Sequence, residues 1–219
     1  MRDWVDWHRA YDQRGSSLHK RLMVVRQLVD EALDDTPNRP LKVVSMCAGQ
    51  GRDVIPVLAR HPRRHDTDLR LVELDPRLAR HARERARRAG LDRVEVVTAD
   101  AGLTDAYAGA VPADLVLVCG VFGNVTDDDI AFTIEQLPRL CAEGAVVVWT
   151  RNREPVDIIR KVRKWFAAAG FGELALVTPP GVTFAVGAHR LLGTPSRLAP
   201  GVRLFEFLDE QLPLPRAAG

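Results

Sequence analysis

The sequence predicts a doubly wound α/β fold, built on a seven-stranded, mostly parallel sheet whose last strand runs antiparallel. Three observations carry this expectation. From Leu41 onward, short apolar runs alternate with longer amphipathic stretches, the pattern of strand–helix–strand units. A glycine turn, Gly49-Gln50-Gly51, follows the first apolar run and opens the first helical stretch. Only Thr178-Pro179-Pro180-Gly181-Val182 separates the last two apolar runs, too few residues for a helical crossover, so those strands pair antiparallel.

Taken in order, residues 1–34 read as an amphipathic helical segment, which the polar, proline-containing stretch 34–40 interrupts. Strands are expected over 41–46, 69–73, 94–98, 115–118, 145–149, 174–177 and 183–188. Helices are expected over 52–60, 76–89, 126–140 and 155–169. Asp75-Pro76 reads as an N-cap followed by proline in the first helical position, and Gly90 suits the end of that helix. Thr126 with Asp129 is an approximate capping box. The segment Leu204-Phe205-Glu206-Phe207 suggests an additional edge strand. The expected organisation is a helical cap or lid over 1–40, a core over 41–190 and an extension over 191–219.

Composition narrows the function classes. The 219 residues suit one domain, and 46% apolar with 27% charged residues can build a core under a solvated surface. A net charge of +2 is weak support for a nucleic-acid partner. No apolar run approaches the ~18–20 residues of a membrane span, and the start, Met1-Arg2-Asp3-Trp4, lacks the apolar stretch of a secretory signal. Cys47, Cys119 and Cys141 form neither an even disulfide set nor a zinc spacing, which predicts a reducing, cytoplasmic setting and no metal. The arginines between Arg77 and Arg88, interleaved with Glu84, read as a solvated helix face.

Four segments carry chemistry. In Cys47-Ala48-Gly49-Gln50-Gly51-Arg52-Asp53 the glycines permit a sharp turn and close approach of a ligand, and amides at the helix start can receive a carboxylate. In Glu73-Leu74-Asp75, an acid ending the second strand can accept from both hydroxyls of a ribose; Asp75 is accounted for as a cap, which leaves Glu73, with Leu74 against the base. Asp100-Ala101 follows the third strand, where Asp100 can accept from an exocyclic amine and the Ala101 amide can donate to a ring nitrogen. Cys119-Gly120-Val121-Phe122-Gly123-Asn124 follows the fourth strand at the sheet's switch point, where small residues leave room for ligand; Cys119 reads as packing rather than as a nucleophile.

In order and spacing these four segments resemble class I S-adenosylmethionine-dependent methyltransferases, over roughly residues 41–190. The resemblance implies a Rossmann-like core and S-adenosyl-L-methionine as cofactor, with S-adenosyl-L-homocysteine as its product. It implies cofactor contacts from Cys47, Ala48, Gly49, Gly51, Glu73, Leu74, Asp100, Ala101, Cys119 and Gly120. No Asn-Pro-Pro-Tyr or Asp-Pro-Pro-Tyr follows the fourth strand, which disfavours methylation of adenine or glutamine nitrogen. The whole chain also resembles bacterial members of the family, a likeness that names no acceptor. A small-molecule acceptor is expected.

On the acceptor side, Trp4, Trp7, His8 and Tyr11 fall on one helical face and are candidates to close over the ligand, with His8 as a base near neutral pH. His8, Tyr11 and Asn124 are therefore the catalytic candidates. Thr150-Arg151-Asn152-Arg153 follows the fifth strand, and its arginines suit an acidic acceptor or a solvated loop. His189 is expected at the opposite end of the sheet, away from the chemistry. The competing readings are an NAD(P)-dependent oxidoreductase, against which Val54 counts by replacing the third glycine of Gly-x-Gly-x-x-Gly, an RNA or protein methyltransferase, and a non-catalytic binding protein on the same fold.

Overall fold

The computed structural model describes residues 11, 13, 15–36, 40–153 and 158–208. Helix α1 (Ser17–Asp34) is capped by Ser16, whose side chain accepts from His19 N. Strand β1 (Leu41–Ser45) leads through the glycine turn into the short α2 (Ile55–Arg60), then come β2 (Thr67–Glu73), α3 (Pro76–Arg88) and β3 (Val94–Thr98). The second half comprises β4 (Ala113–Val118), α4 (Asp127–Gln136), β5 (Cys141–Asn152), α5 (Ile158–Ala168), β6 (Phe171–Val177) and β7 (Phe184–Leu191).

The seven strands lie in the order β3-β2-β1-β4-β5-β7-β6. Only β7 is antiparallel to its neighbours, pairing Trp149 with Gly187 on one side and Leu176 with Gly187 on the other. The order reverses between β1 and β4, so the crevice beyond their carboxyl ends is where such a sheet binds ligand. The caps are those the sequence suggests: Asp75 accepts from Arg77 N with Pro76 in the first turn, and Thr126 and Asp129 form a reciprocal capping box. Both faces of the sheet are buried, which is why β1 and β4 are nearly continuous in Leu and Val rather than alternating.

Several boundaries differ from expectation. β5 runs twelve residues, from Cys141, because it pairs with β4 at Cys141 and again, past an irregularity at residues 142–145, from Val146, and pairing with β7 carries it on to Asn152. Strand β7 extends to Leu191 and contains His189. Helix α2 starts at Ile55 rather than at residue 52: the turn begun by the left-handed Gly49 and Gly51 (φ 56° and 63°) extends through residues 52–54 before the helix forms. No edge strand forms at 204–207. Instead residues 199–208 cross the loop after β3 as a strap, held by a single bridge between Leu103 and Arg203 and by Leu204 N donating to Gly102 O at 2.7 Å. Within the strap, Leu204 and Phe205 are buried.

The core beside α5 centres on Trp149, which is fully buried and stacked on Phe166 at 6.0 Å. Its Nε1 donates to His189 Nδ1 at 3.1 Å, and the imidazole stacks on Phe166 at 4.2 Å. His189 is therefore a core residue, removed from the cavity described below. Burial lowers its pKa to about 4, against the opposing pull of Glu173. The unfolded chain takes up this proton near pH 6.5 and the folded chain only near 4, so folding loses stability as pH falls across that window. At ~1.4 kcal/mol per unit this amounts to roughly 3 kcal/mol. Urea unfolding of wild type and His189→Gln is expected to show a gap that narrows in the variant's favour between pH 7 and pH 4; parallel pH dependences would exclude a neutral buried imidazole.

Candidate active site

A cavity of about 850 Å³ opens at the carboxyl ends of β1, β2 and β4. This lies within the roughly 300–1,000 Å³ of small-molecule sites. Its floor is the turn 47–53. Met46 N bonds Leu117 O and Ala48 N bonds Val72 O, which places the turn between the exits of β4 and β2. Cys47 (φ 48°) is left-handed without being glycine, so the turn holds a side chain in a costly conformation. Two carbonyls of the turn are held by arginines from flanking helices: Arg85 Nε on α3 donates to Gln50 O at 3.1 Å, and Arg26 on α1 donates through Nε and Nη2 to Arg52 O at 2.9 and 2.7 Å. Some of the basic face of α3 is thus structural rather than merely solvated.

Glu73 ends β2 almost completely buried. Its Oε2 accepts from Gly49 N at 2.7 Å and its Oε1 from Asp75 N at 2.8 Å. Burial raises its pKa above the ordinary carboxylate range, opposed by these amides. Each oxygen retains a lone pair, so the carboxylate joins the glycine turn to the next helix and still has acceptors to offer. Beside it Leu74 is 66% exposed and lines the cavity, a flat apolar surface left uncovered by protein.

Of the residues singled out in the sequence, Cys47, Ala48, Gly49, Glu73, Leu74, Asp100, Ala101, Cys119, Gly120, Asn124 and Tyr11 all line this one cavity. Gly51 does not. A Cβ there would lie 2.5 Å from Ile55 Cδ1 and 3.0 Å from Leu71 Cδ1, so Gly51 serves close packing of the turn on the core. His8, with Trp4 and Trp7, lies outside the described residues. The amides expected to receive a ligand carboxylate are taken within the turn, Gly51 N by Ala48 O and Val54 N by Asp53 Oδ1. Asp100 is also more committed than its sequence position suggests: Oδ1 accepts from Gly102 N at 2.8 Å and Oδ2 from Arg203 Nη1 at 2.6 Å.

Sequence reasoning missed the charged residues around Tyr11. Arg21 Nη2 on α1 donates to the Tyr11 hydroxyl at 2.9 Å, and the Arg52 guanidinium sits 5.8 Å from the Tyr11 ring centroid. Asp53 faces the same space; burial raises its pKa to about 6, with its own and the Val54 amide, Arg26 and Arg21 pulling it down. Burial also raises the Cys47 and Cys119 thiols, so neither is a thiolate nucleophile at neutral pH. Asn124 is oriented by its Nδ2 donating to Gly120 O at 2.7 Å, and Thr150 Oγ1 accepts from Gly120 N at 2.9 Å.

Residues 44–147 match the family model of the methyltransferase domain. The chain carries a methyltransferase domain. No curated protein matches the sequence. Among solved structures it is similar to magnesium protoporphyrin IX methyltransferase from Synechocystis PCC 6803 with bound SAM, at 14% identity and a TM-score of 0.63, over 84% of this chain and 88% of the other. It is similar to precorrin-6y C5,15-methyltransferase from Geobacter metallireducens GS-15, at 14% identity and a TM-score of 0.57, over 81% and 89%. A putative O-methyltransferase from Nostoc punctiforme PCC 73102 aligns at 21% identity and a TM-score of 0.58, over 78% and 56%. These likenesses concern the fold: the methyltransferase sheet with its reversed last strand is the one found here. No helix among the described residues is long and apolar enough to cross a membrane.

Proposed function

We propose that the chain transfers a methyl group from S-adenosylmethionine to a small-molecule acceptor. The observation that carries this reading is the nucleoside platform at the end of β2: a buried Glu73 carboxylate fixed by two amides, beside an exposed Leu74 and the Asp100-Ala101 loop. A ribose diol finds its acceptors in Glu73 and an adenine ring finds its apolar face in Leu74. Arg52 and Asp53 at the end of the β1 turn, with Arg21 on α1, offer both signs of charge to a zwitterionic amino-acid tail. When bound, this cofactor supplies a methyl group on a sulfonium, an electrophile that already carries its leaving group.

The protein's own task is then alignment of the acceptor, which can contribute ~7 kcal/mol or more to the rate. Asn124 is suited to that task, because its Nδ2 is anchored on Gly120 and its Oδ1 is left to accept from an N–H or O–H of the acceptor. Tyr11, held by Arg21, bounds the same space.

Thermal unfolding in the presence of S-adenosylhomocysteine or NAD tests the reading. A ligand at a hundred times its Kd adds about 2.7 kcal/mol of stability, which raises Tm by roughly 5 °C or more for a domain of this size. S-adenosylhomocysteine is expected to produce such a shift. A shift with NAD and none with S-adenosylhomocysteine would transfer the site to the oxidoreductases.

A further inference from the structure

Sheet order divides the cavity. The nucleoside platform lies over β2 and β3, the glycine turn over β1, and the ends of β4 and β5 lie beyond. At that far side the cavity is lined by Gly123, Asn124, Thr150, Arg151 and Asn152. Arg151 is the cation of this group. It stands on β5 two residues after Trp149, and so on the same face of the strand. Its Nε is shut off from solvent and has no hydrogen-bond partner, and its guanidinium makes no hydrogen bond among the described residues. Burial lowers its pKa, while Asp127 acts in the opposite direction from a distance. Asp127 is already paired with Lys161 Nζ at 3.1 Å. A half-buried guanidinium without a bonded partner is an unfavourable arrangement for folding alone.

The surroundings keep the tip of Arg151 accessible. Gly123 has no side chain, and a Cβ at that position would lie only 3.9 Å from Arg151 Nη1. The strap reaches the same place, with Leu208 N donating to Asn124 O at 2.8 Å, and brings Phe207 to the cavity wall 43% exposed. Arg153, two residues on, is exposed and lines no part of the cavity. The two arginines that the sequence leaves equivalent therefore have different surroundings.

We propose that Arg151 is the anchor for a carboxylate on the methyl acceptor, and that the acceptor is an organic acid with an apolar body lying toward Phe207. The proposal rests on the methyltransferase reading and names its acceptor class. The planar fork of a guanidinium matches a carboxylate in two parallel hydrogen bonds, which the free donors of Arg151 can supply.

The test uses benzoate as probe, with benzamide as its neutral counterpart and phenyl phosphate as the other anion, in ligand-observed NMR titrations of the protein with and without S-adenosylhomocysteine. Benzoate is expected to bind at least tenfold more tightly than benzamide. Arg151→Gln is expected to lose that preference at unchanged affinity for S-adenosylhomocysteine, and Arg151→Lys to retain part of it. Arg153→Gln is expected to change neither. Equal affinity for benzoate and benzamide, a preference for phenyl phosphate over benzoate, or an undiminished preference in Arg151→Gln would each overturn the proposal. Absence of S-adenosylhomocysteine binding to wild type would instead refute the methyl-donor site, and the benzoate titration of the protein alone would still decide the anion site.

Discussion

Replacing Gly187 by alanine is expected to be strongly destabilising, costing about 3 kcal/mol. The added Cβ would stand 2.3 Å from Trp149 Cε2, 2.4 Å from Cζ2 and 2.6 Å from Nε1. Neither partner can yield cheaply. Gly187 lies on β7, bonded between β5 and β6, so its backbone cannot move away without breaking two ladders. The indole is fixed by stacking on Phe166, by Phe122 at 6.2 Å and by its hydrogen bond to His189. Overpacking of a close-packed core ordinarily costs about 1–3 kcal/mol, and rigid neighbours on all sides place this site at the top of that range. Against a total stability of ~5–15 kcal/mol, the variant is expected to unfold at clearly lower urea concentration or to be recovered mostly insoluble. The Trp149→Leu background removes the indole ring and with it the atoms that clash. There the same Gly187→Ala change is expected to cost less than about 1 kcal/mol, a coupling measurable in a double-mutant cycle. Equal costs in the two backgrounds would show that the indole is not the obstacle.

Such a contact marks the limit of what the sequence discloses. The order of strands and helices was legible because each strand is a short run of Val and Leu bounded by turn residues, and because one short connection demanded an antiparallel pair. Caps at Asp75 and Thr126 were legible for the same reason: their chemistry is local. The extent of β5 was not, since Glu143-Gly144 reads as a break and only its neighbours in space carry the strand past it. With β5 taken to end at Trp149, the difference between Arg151, inside the strand, and Arg153, just beyond its end, could not be read either. The Asp100–Arg203 pair joins residues 103 positions apart, and nothing in either segment announces the other. The helical cap over 1–40 remains a proposal; within it, α1 packs on β5, β7 and α2, with Arg26 holding the glycine turn.

Glu73→Ala is expected to reduce affinity for S-adenosylhomocysteine by about a hundredfold or more, and to destabilise the free protein as well. The first effect follows from the loss of the acceptors offered to a ribose diol. Two hydrogen bonds to a charged group are worth ~3 kcal/mol or more, and each ~1.4 kcal/mol is tenfold in affinity. The second effect is one that the sequence position alone does not suggest. The same carboxylate receives Gly49 N and Asp75 N, so its removal leaves both amides without their acceptor and frees the turn from the next helix. An unsatisfied buried amide costs ~1–3 kcal/mol, so urea unfolding of the ligand-free variant is expected to show a loss in that range. Glu73→Gln keeps one acceptor oxygen and most of the volume, and is expected to fall between wild type and alanine in both measurements. Because burial holds the Glu73 pKa above that of an ordinary glutamate, protonation begins sooner as pH falls. Affinity in the wild type is therefore expected to weaken on acidification, whereas the residual affinity of Glu73→Gln is expected to be flat across the same range. A Glu73→Ala protein that folds normally and binds S-adenosylhomocysteine as tightly as wild type would remove this carboxylate from the nucleoside platform.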